Sequence, residues 1–319
     1  MSKMLQLMPE YREYVWGGSR LRPGVSPTAE AWVVYAHDRV ASGPLAGQTL
    51  AEIAGRDGPA LLGPRVMART GAQFPLLIKL LDCAQWLSLQ VHPNDEQAAR
   101  LEGPGLFGKT EAWHVLEADA DAKLIAGLKP GVTADVLAQA MRGGTILDWA
   151  QYLPVRAGDS VFVRPGTIHA LGPGLLIYEV QQTSDLTYRV FDWNRPQTGG
   201  RVLHVEKSLA VADPAVVGEC RPLPTLAPVD RQVLVACPYF TLEVLEAQAG
   251  ALSLDTGGAT FHALTVIAGQ AEVVCGDERV TVKRFESVVV PAASGAYQLR
   301  PLVRPLGACR ALKASVEPV

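Results

Sequence analysis

Residues 160–182 read SVFVRPGTIHALGPGLLIYEVQQ. Two runs rich in Val, Ile, Leu and aromatic residues, 160–164 and 175–182, flank Pro165-Gly166 and Gly172-Pro173-Gly174. Such runs, separated by Gly and Pro, predict strands joined by tight turns. The Pro165-Gly166 turn delivers His169 onto the strand that follows it. The same texture recurs in both directions, as AWVVY (31–35), LLIKLL (76–81), WLSLQVH (86–92), EAWHVLE (111–117) and TYRVF (187–191). Beyond residue 232 it recurs at 240–247, 261–267, 271–275, 280–284 and 287–290, with a hairpin signal at Gly276-Asp277.

Helix signals are few and lie between strands. Thr49 and Glu52 have capping-box spacing at the start of a helix running through Ile53. Asn94 or Asp95 can cap a helix over 96–101, and Thr133 one over 134–141 that stops at Gly143-Gly144. Strands and helices do not alternate, which disfavours a doubly wound sheet and predicts an all-β fold with helical insertions. Four prolines in 213–230 read as a linker, so two domains are expected, 1–220 and 221–319. GDSVFVRP (158–165) resembles FESVVVP (285–291), an echo of two related barrels. A histidine follows the first copy and none follows the second, so only the first is expected to hold a site.

Composition narrows the function classes. The 319 residues are 48% hydrophobic and 19% charged, with a net charge of −3. That balance argues against charge-driven disorder and against a general affinity for nucleic acid. No run approaches the ~18 apolar residues of a membrane span, and the first residues lack the apolar core of a secretory signal. The five cysteines are scattered and form no CxxC, as expected of reduced thiols in a cytoplasmic protein.

Side-chain alternation then isolates a polar group. If 86–92 is a strand, Leu87, Leu89 and Val91 face one way, and Trp86, Ser88, Gln90 and His92 face the other. Polar residues lining one face of a barrel strand require water or a ligand. Lys109 and Glu111 share a face, followed by Trp113 and Val115. Glu179 and Gln181 share another, as do Thr187, Arg189 and Phe191. Two imidazoles (His92, His169), a carboxylate (Glu111) and an amide oxygen (Gln90) form a nitrogen–oxygen donor set suited to Zn²⁺, Mn²⁺ or Fe²⁺. His37, His114, His204 and His262 read as structural.

The segments QVHPND (90–95), GKTEAWHVL (108–116), RPGTIHALGPGLLIYEVQQTSDLTYRVFDWNR (164–195) and YVWGGSRL (14–21) resemble type I mannose-6-phosphate isomerases, in their short bacterial form. The resemblance spans most of 14–210, and 178–195 is its most specific part. It implies a cupin (jelly-roll) barrel with helical insertions, followed by a smaller cupin-like β domain without a metal site. It also implies one Zn²⁺ per chain, and interconversion of mannose 6-phosphate and fructose 6-phosphate through an enediol. Carried onto this sequence, the metal ligands are His92, Glu111, His169 and Gln90, the last ranked lowest. Arg189, Lys109 and Glu179 take catalytic roles, and Ser88, Lys109 and Arg189 bind the sugar phosphate. Glu179, Lys109 or a metal-bound hydroxide can serve as the base. Asn94 stands where many family members have an acid. The expected partner is a small sugar phosphate, with no nucleic acid and no membrane, on a monomer or homodimer. Two other readings stand at this point: an iron or manganese cupin acting as oxygenase or decarboxylase, and a non-catalytic sugar-binding cupin.

Overall fold

The computed structural model describes residues 3–25, 27–197, 201–248, 250–302 and 308–317. The chain is mostly strand and divides into two compact units. One comprises Arg12–Glu30 and Leu81–Pro222; the other comprises Met1–Tyr11, Ala31–Leu80 and Leu223–Val319.

The first unit is built on antiparallel sheets. Five strands run in the order Tyr188–Phe191, Leu89–Val91, His169–Leu171, Lys123–Leu128 and Ala150–Pro154. Facing them, Glu219–Arg221, Ser160–Val163, Glu111–Ala118 and Leu175–Gln182 are successive neighbours. Leu124, Ala126 and Leu171 of one layer meet Trp113, Val115, Val161, Val163 and Ile177 of the other in a buried apolar core. Ile125 and Leu128 point outward, a switch made by the register shift between them, and join Leu89 and Val91 in a second core. Leu137, Ala140, Met141 and Val211, from the helices Ala134–Gly143 and Val205–Val211, cover that second core. The five-stranded layer is therefore apolar on its outer face, which leaves its inner face to carry polar groups. This is the jelly-roll arrangement expected of a cupin.

The second unit repeats the theme. One sheet runs Leu5–Gln6, Ser287–Val290, His262–Ala268, Cys309–Ser315, Thr241–Ala247 and Val229–Ala236. Another runs Leu252–Asp255, Ala296–Pro301, Gln270–Cys275 and Glu278–Lys283. Leu245, Leu264, Val266, Val273, Val288 and Leu299 pack together as its core.

Local structure follows the caps the sequence carries. Thr49 and Glu52 form the capping box of Leu50–Thr70, Asn94 and Gln97 that of Asp95–Glu102, and Thr133 caps Ala134–Gly143 before the left-handed Gly144. The helix Leu50–Thr70 runs far past Ile53. It is broken at Asp57 and Gly63, and Pro59 and Pro64 follow the breaks, where a missing N–H is harmless.

Four features depart from the sequence reading. The units do not meet at a single cut after residue 220, because Leu5 and Gln6 pair with Val289 and Val288 and so group with the C-terminal sheet. The segment read as a linker contains Glu219–Arg221, which pairs with Ser160–Phe162. The strand expected over 86–92 is regular only at Leu89–Val91, so alternation fails before it. Leu87 joins the inner core, whereas Trp86 packs on Trp193, with ring centroids 4.9 Å apart, beside the outer one. Finally, a register shift between Arg189 and Phe191 sets Phe191 opposite Leu89, so the two do not share a face.

Candidate metal centre

Cross-strand register places three of the candidate residues in one row. His169 pairs with Gln90, and Gln90 pairs with Arg189. Directly opposed residues project to the same side of a sheet, and the outer side is occupied by Leu89 and Val91. The row therefore faces inward. From the opposite layer, Glu111 pairs with Gln181, and Trp113 with Glu179.

A turn and a strand end bring the imidazoles in. The sequence Arg164-Pro165-Gly166-Thr167 closes with the Thr167 N–H on the Arg164 carbonyl (3.2 Å), and Gly166 takes φ +86°, open to a residue without Cβ. The Gly166 N–H also donates to the His92 carbonyl at 2.9 Å, so this turn ties the two histidines together. His92 follows the strand Leu89–Val91 and precedes Pro93.

Each histidine is oriented by a backbone carbonyl. His169 Nδ1 lies 2.9 Å from the Thr167 oxygen, and His92 Nδ1 lies 2.8 Å from the Leu186 oxygen. A carbonyl only accepts, so Nδ1 carries the proton and Nε2 presents a lone pair, the tautomer a metal requires. Both Nε2 atoms face Glu111: His169 lies 3.2 Å from Oε1 and His92 3.5 Å from Oε2. All three residues are buried, and burial holds the His169 imidazolium pKa down to about 3. Among the described residues these three form one cluster whose ligand atoms lie within 4.8 Å of one another.

Of the remaining candidates, Lys109 and Gln90 adjoin this cluster and Glu179 reaches it through Lys109. Buried Lys109 Nζ lies 2.6 Å from Glu111 Oε2, 3.1 Å from His92 Nε2 and 3.9 Å from Glu179 Oε1. Glu179 Oε2 accepts the Trp113 indole N–H at 2.9 Å, and the Trp113 ring stands edge-on to His169. Gln90 turns its amide nitrogen toward His169 Nε2 at 3.3 Å; joining the donor set would require the amide to present its oxygen. Ser88 is buried just ahead of the strand that carries Gln90. Arg189 stands at the outer end of the row, and its guanidinium donates to the Val202 carbonyl at 3.0 Å. Its backbone exchanges hydrogen bonds with His204, through Arg189 N–H to Nδ1 (3.2 Å) and His204 N–H to the Arg189 carbonyl (2.8 Å). Arg195 and Arg201 hold the Asp192 carboxylate.

The donor set fits a divalent cation. Two imidazole Nε2 atoms, each in its lone-pair tautomer, and a carboxylate converge in a buried space, and neutral imidazole nitrogen with carboxylate oxygen is a donor combination that divalent metals take up. With two N ligands and one O ligand the set suits zinc with a coordination position left open.

Sequence reading missed the groups that hold these side chains in place. The carbonyls of Thr167 and Leu186 have no sequence signature. Trp113 follows Glu111 on the same face of its strand, but only the antiparallel pairing of Glu111–Ala118 with Leu175–Gln182 sets it beside Glu179. His114 faces away and bonds Ser160 Oγ at 2.9 Å, and His262 bonds Tyr297 at 2.7 Å, in keeping with structural roles.

Comparison with known proteins follows the same lines. Residues 4–105 match the family model for the phosphomannose isomerase type I catalytic domain. A mannose-6-phosphate isomerase of Streptococcus mutans is 33% identical over 314 residues, covering 93% of this chain and 95% of the relative. The crystal structure of a mannose 6-phosphate isomerase from Bacillus subtilis superposes with a TM-score of 0.85 at 27% identity, covering 98% of this chain and 99% of that one. A zinc-bound mannose 6-phosphate isomerase structure shares the fold at 17% identity, with a TM-score of 0.72 and coverage of 98% and 99%.

Proposed function

The chain belongs to the type I phosphomannose isomerases, and on that premise we propose that it interconverts mannose 6-phosphate and fructose 6-phosphate at the cluster of His92, Glu111 and His169, with one zinc ion per chain. The observation that carries the zinc assignment is the pair of Nε2 lone pairs held against one carboxylate. The oxygenase, decarboxylase and binding-only readings have no comparable support.

Aldose–ketose isomerisation moves a proton between C1 and C2 while negative charge develops on the former carbonyl oxygen. Zinc, when bound, would supply a Lewis acid for that oxygen, worth several kcal/mol. Lys109 would stabilise the same charge, and we assign Arg189, in the row with Gln90 and His169, to the same role. Glu179 is the group we assign to carry the proton. Its Oε2 is fixed by the Trp113 indole and its Oε1 is directed toward Lys109. Ser88, Lys109 and Arg189 would hold the sugar phosphate by hydrogen bonds and charge. Gln90 would steady His169 and could complete the metal's donor set.

The proposal places a monomer or homodimer in the cytoplasm, with a sugar phosphate as its partner and neither nucleic acid nor membrane involved. The five free cysteines accord with a reducing compartment, and no helix among the described residues is long and apolar enough to cross a membrane.

The test is a coupled assay of mannose 6-phosphate conversion on purified protein, after chelation, and after zinc is added back. Activity lost on chelation and restored by zinc supports the proposal. A folded, zinc-loaded protein that does not turn over mannose 6-phosphate overturns it.

A further inference from the structure

The segment Gly108-Lys109-Thr110 has no regular secondary structure, yet it is pinned from two sides. The Lys109 N–H donates to the Pro93 carbonyl at 3.0 Å, and the Gly108 N–H donates to Asp95 Oδ1 at 2.7 Å. On the other side, the Thr110 N–H donates to Gln182 Oε1 at 2.9 Å, and the Gln182 N–H returns to the Thr110 carbonyl at 3.2 Å. The two sides are joined: Gln182 Nε2 donates to the same Asp95 Oδ1 at 2.9 Å. A Cβ at Gly108 would run into the backbone of Pro93, Asn94 and Asp95, so the segment lies directly on the residues that follow His92.

Asp95 is not spent on capping its own helix. Asn94 and Gln97 form that capping box, while the Asp95 carboxylate reaches across to Gly108 and Gln182. We propose that Asp95 and Gln182 are positioning residues for the isomerisation, acting as one bridge that fixes the Gly108–Thr110 backbone. The bridge thereby sets the Lys109 ammonium between Glu111, His92 and Glu179. The inference rests on the isomerase reading of the site. One acceptor oxygen of Asp95 makes both contacts, so the bridge requires an oxygen at that position and not a negative charge. Groups that orient metal ligands and catalytic side chains typically change affinity or activity by 10–100-fold when removed, and displacements near 1 Å are enough.

The experiment compares steady-state kinetics of the zinc-loaded wild type, D95A, D95N, Q182M and D95A/Q182M, with zinc affinity measured separately by chelator competition. In D95A and Q182M, kcat/KM is expected to fall by about 10–100-fold, with kcat carrying the larger share, and zinc affinity to fall by up to about tenfold. D95N should remain within about threefold of wild type. The double variant should be no worse than the poorer single one, because both break the same bridge. If D95A fails to fold, Q182E decides: it opposes a second carboxylate to the Asp95 oxygen and should lose at least about tenfold in kcat. Wild-type kcat in D95A or in Q182E, equal losses in D95A and D95N, or multiplying losses in the double variant would each overturn the inference alone. An inactive wild type would overturn the isomerase reading and this inference with it.

Discussion

His169 Nε2 lies 3.2 Å from Glu111 Oε1 while its other ring nitrogen is committed to the Thr167 carbonyl. Two acceptors face each other across that gap. A proton on the imidazole would reconcile them, but burial holds its pKa at about 3, so none is bound near neutrality. A metal cation reconciles them at any working pH. Replacing Glu111 by Gln keeps the shape and removes the charge. Zinc affinity is expected to fall by more than about 100-fold, beyond what loss of an orienting group causes, and turnover with it. Equilibrium dialysis and the isomerase assay read both; turnover surviving with metal still bound would remove Glu111 from the ligand set.

Metal binding should also report on stability. A cation bound only by the folded chain at about 1,000 times its Kd adds roughly 4 kcal/mol. Zinc addition to the chelated protein is therefore expected to raise Tm by several degrees, and H169Q should abolish the increase. Differential scanning calorimetry at fixed pH distinguishes the two.

Acid should destabilise the metal-free protein in a defined direction. Burial lowers both His169 and His262 from 6.5 to about 3 in the folded state. Between those values the unfolded chain binds protons that the folded chain excludes, so stability is full above pH 6.5 and falls as the pH drops toward 3. Each group contributes a slope of up to about 1.4 kcal/mol per pH unit. Urea midpoints measured from pH 7 to pH 5 should fall, and H262Q should flatten the decline. An unchanged slope in that variant would mean that His262 protonates freely when folded.

Trp113→Phe tests the hold on Glu179. The ring stays and the 2.9 Å indole donor goes. A buried carboxylate oxygen short of a donor costs about 1–3 kcal/mol. We expect a lower melting temperature, a kcat reduced by about tenfold, and an acidic limb of the pH–rate profile moved to higher pH, since losing a hydrogen bond to the charged form raises a carboxyl pKa. An unmoved acidic limb would take Glu179 out of the proton transfer.

Part of this site was legible in the alternation of polar and apolar residues, which marked His92, Glu111 and His169 as a donor set; the family resemblance made it an assignment. Strands Leu175–Gln182 and Ser287–Val290 have the boundaries their composition implies, and Thr49, Asn94 and Thr133 mark their helices. What escaped is non-local or unsignalled. The helix Val205–Val211 follows His204, which makes no side-chain cap, so no Ser, Thr, Asp or Asn flags its start. His169–Leu171 is too short to show a period. Asp95 and Gln182 are 87 positions apart, and only the closed barrel puts them within hydrogen-bond reach. Lys123–Leu128 fell outside the runs of strand-like composition noted in the sequence, although it forms the middle of a sheet.

The pairing of Leu5 with Val289 has a consequence during synthesis. A ribosome adding roughly 5–20 residues per second needs about 15–60 s to travel between those two positions. The unit that holds His92, Glu111 and His169 has all its residues once Pro222 has emerged, whereas the other also draws on residues 223–319. For that interval the earliest strand lacks its Val289 edge and can pair, among the described residues, only with residues 39–41, through Ala41 N–H to the Gln6 carbonyl (2.8 Å) and Met8 N–H to the Arg39 carbonyl (2.9 Å).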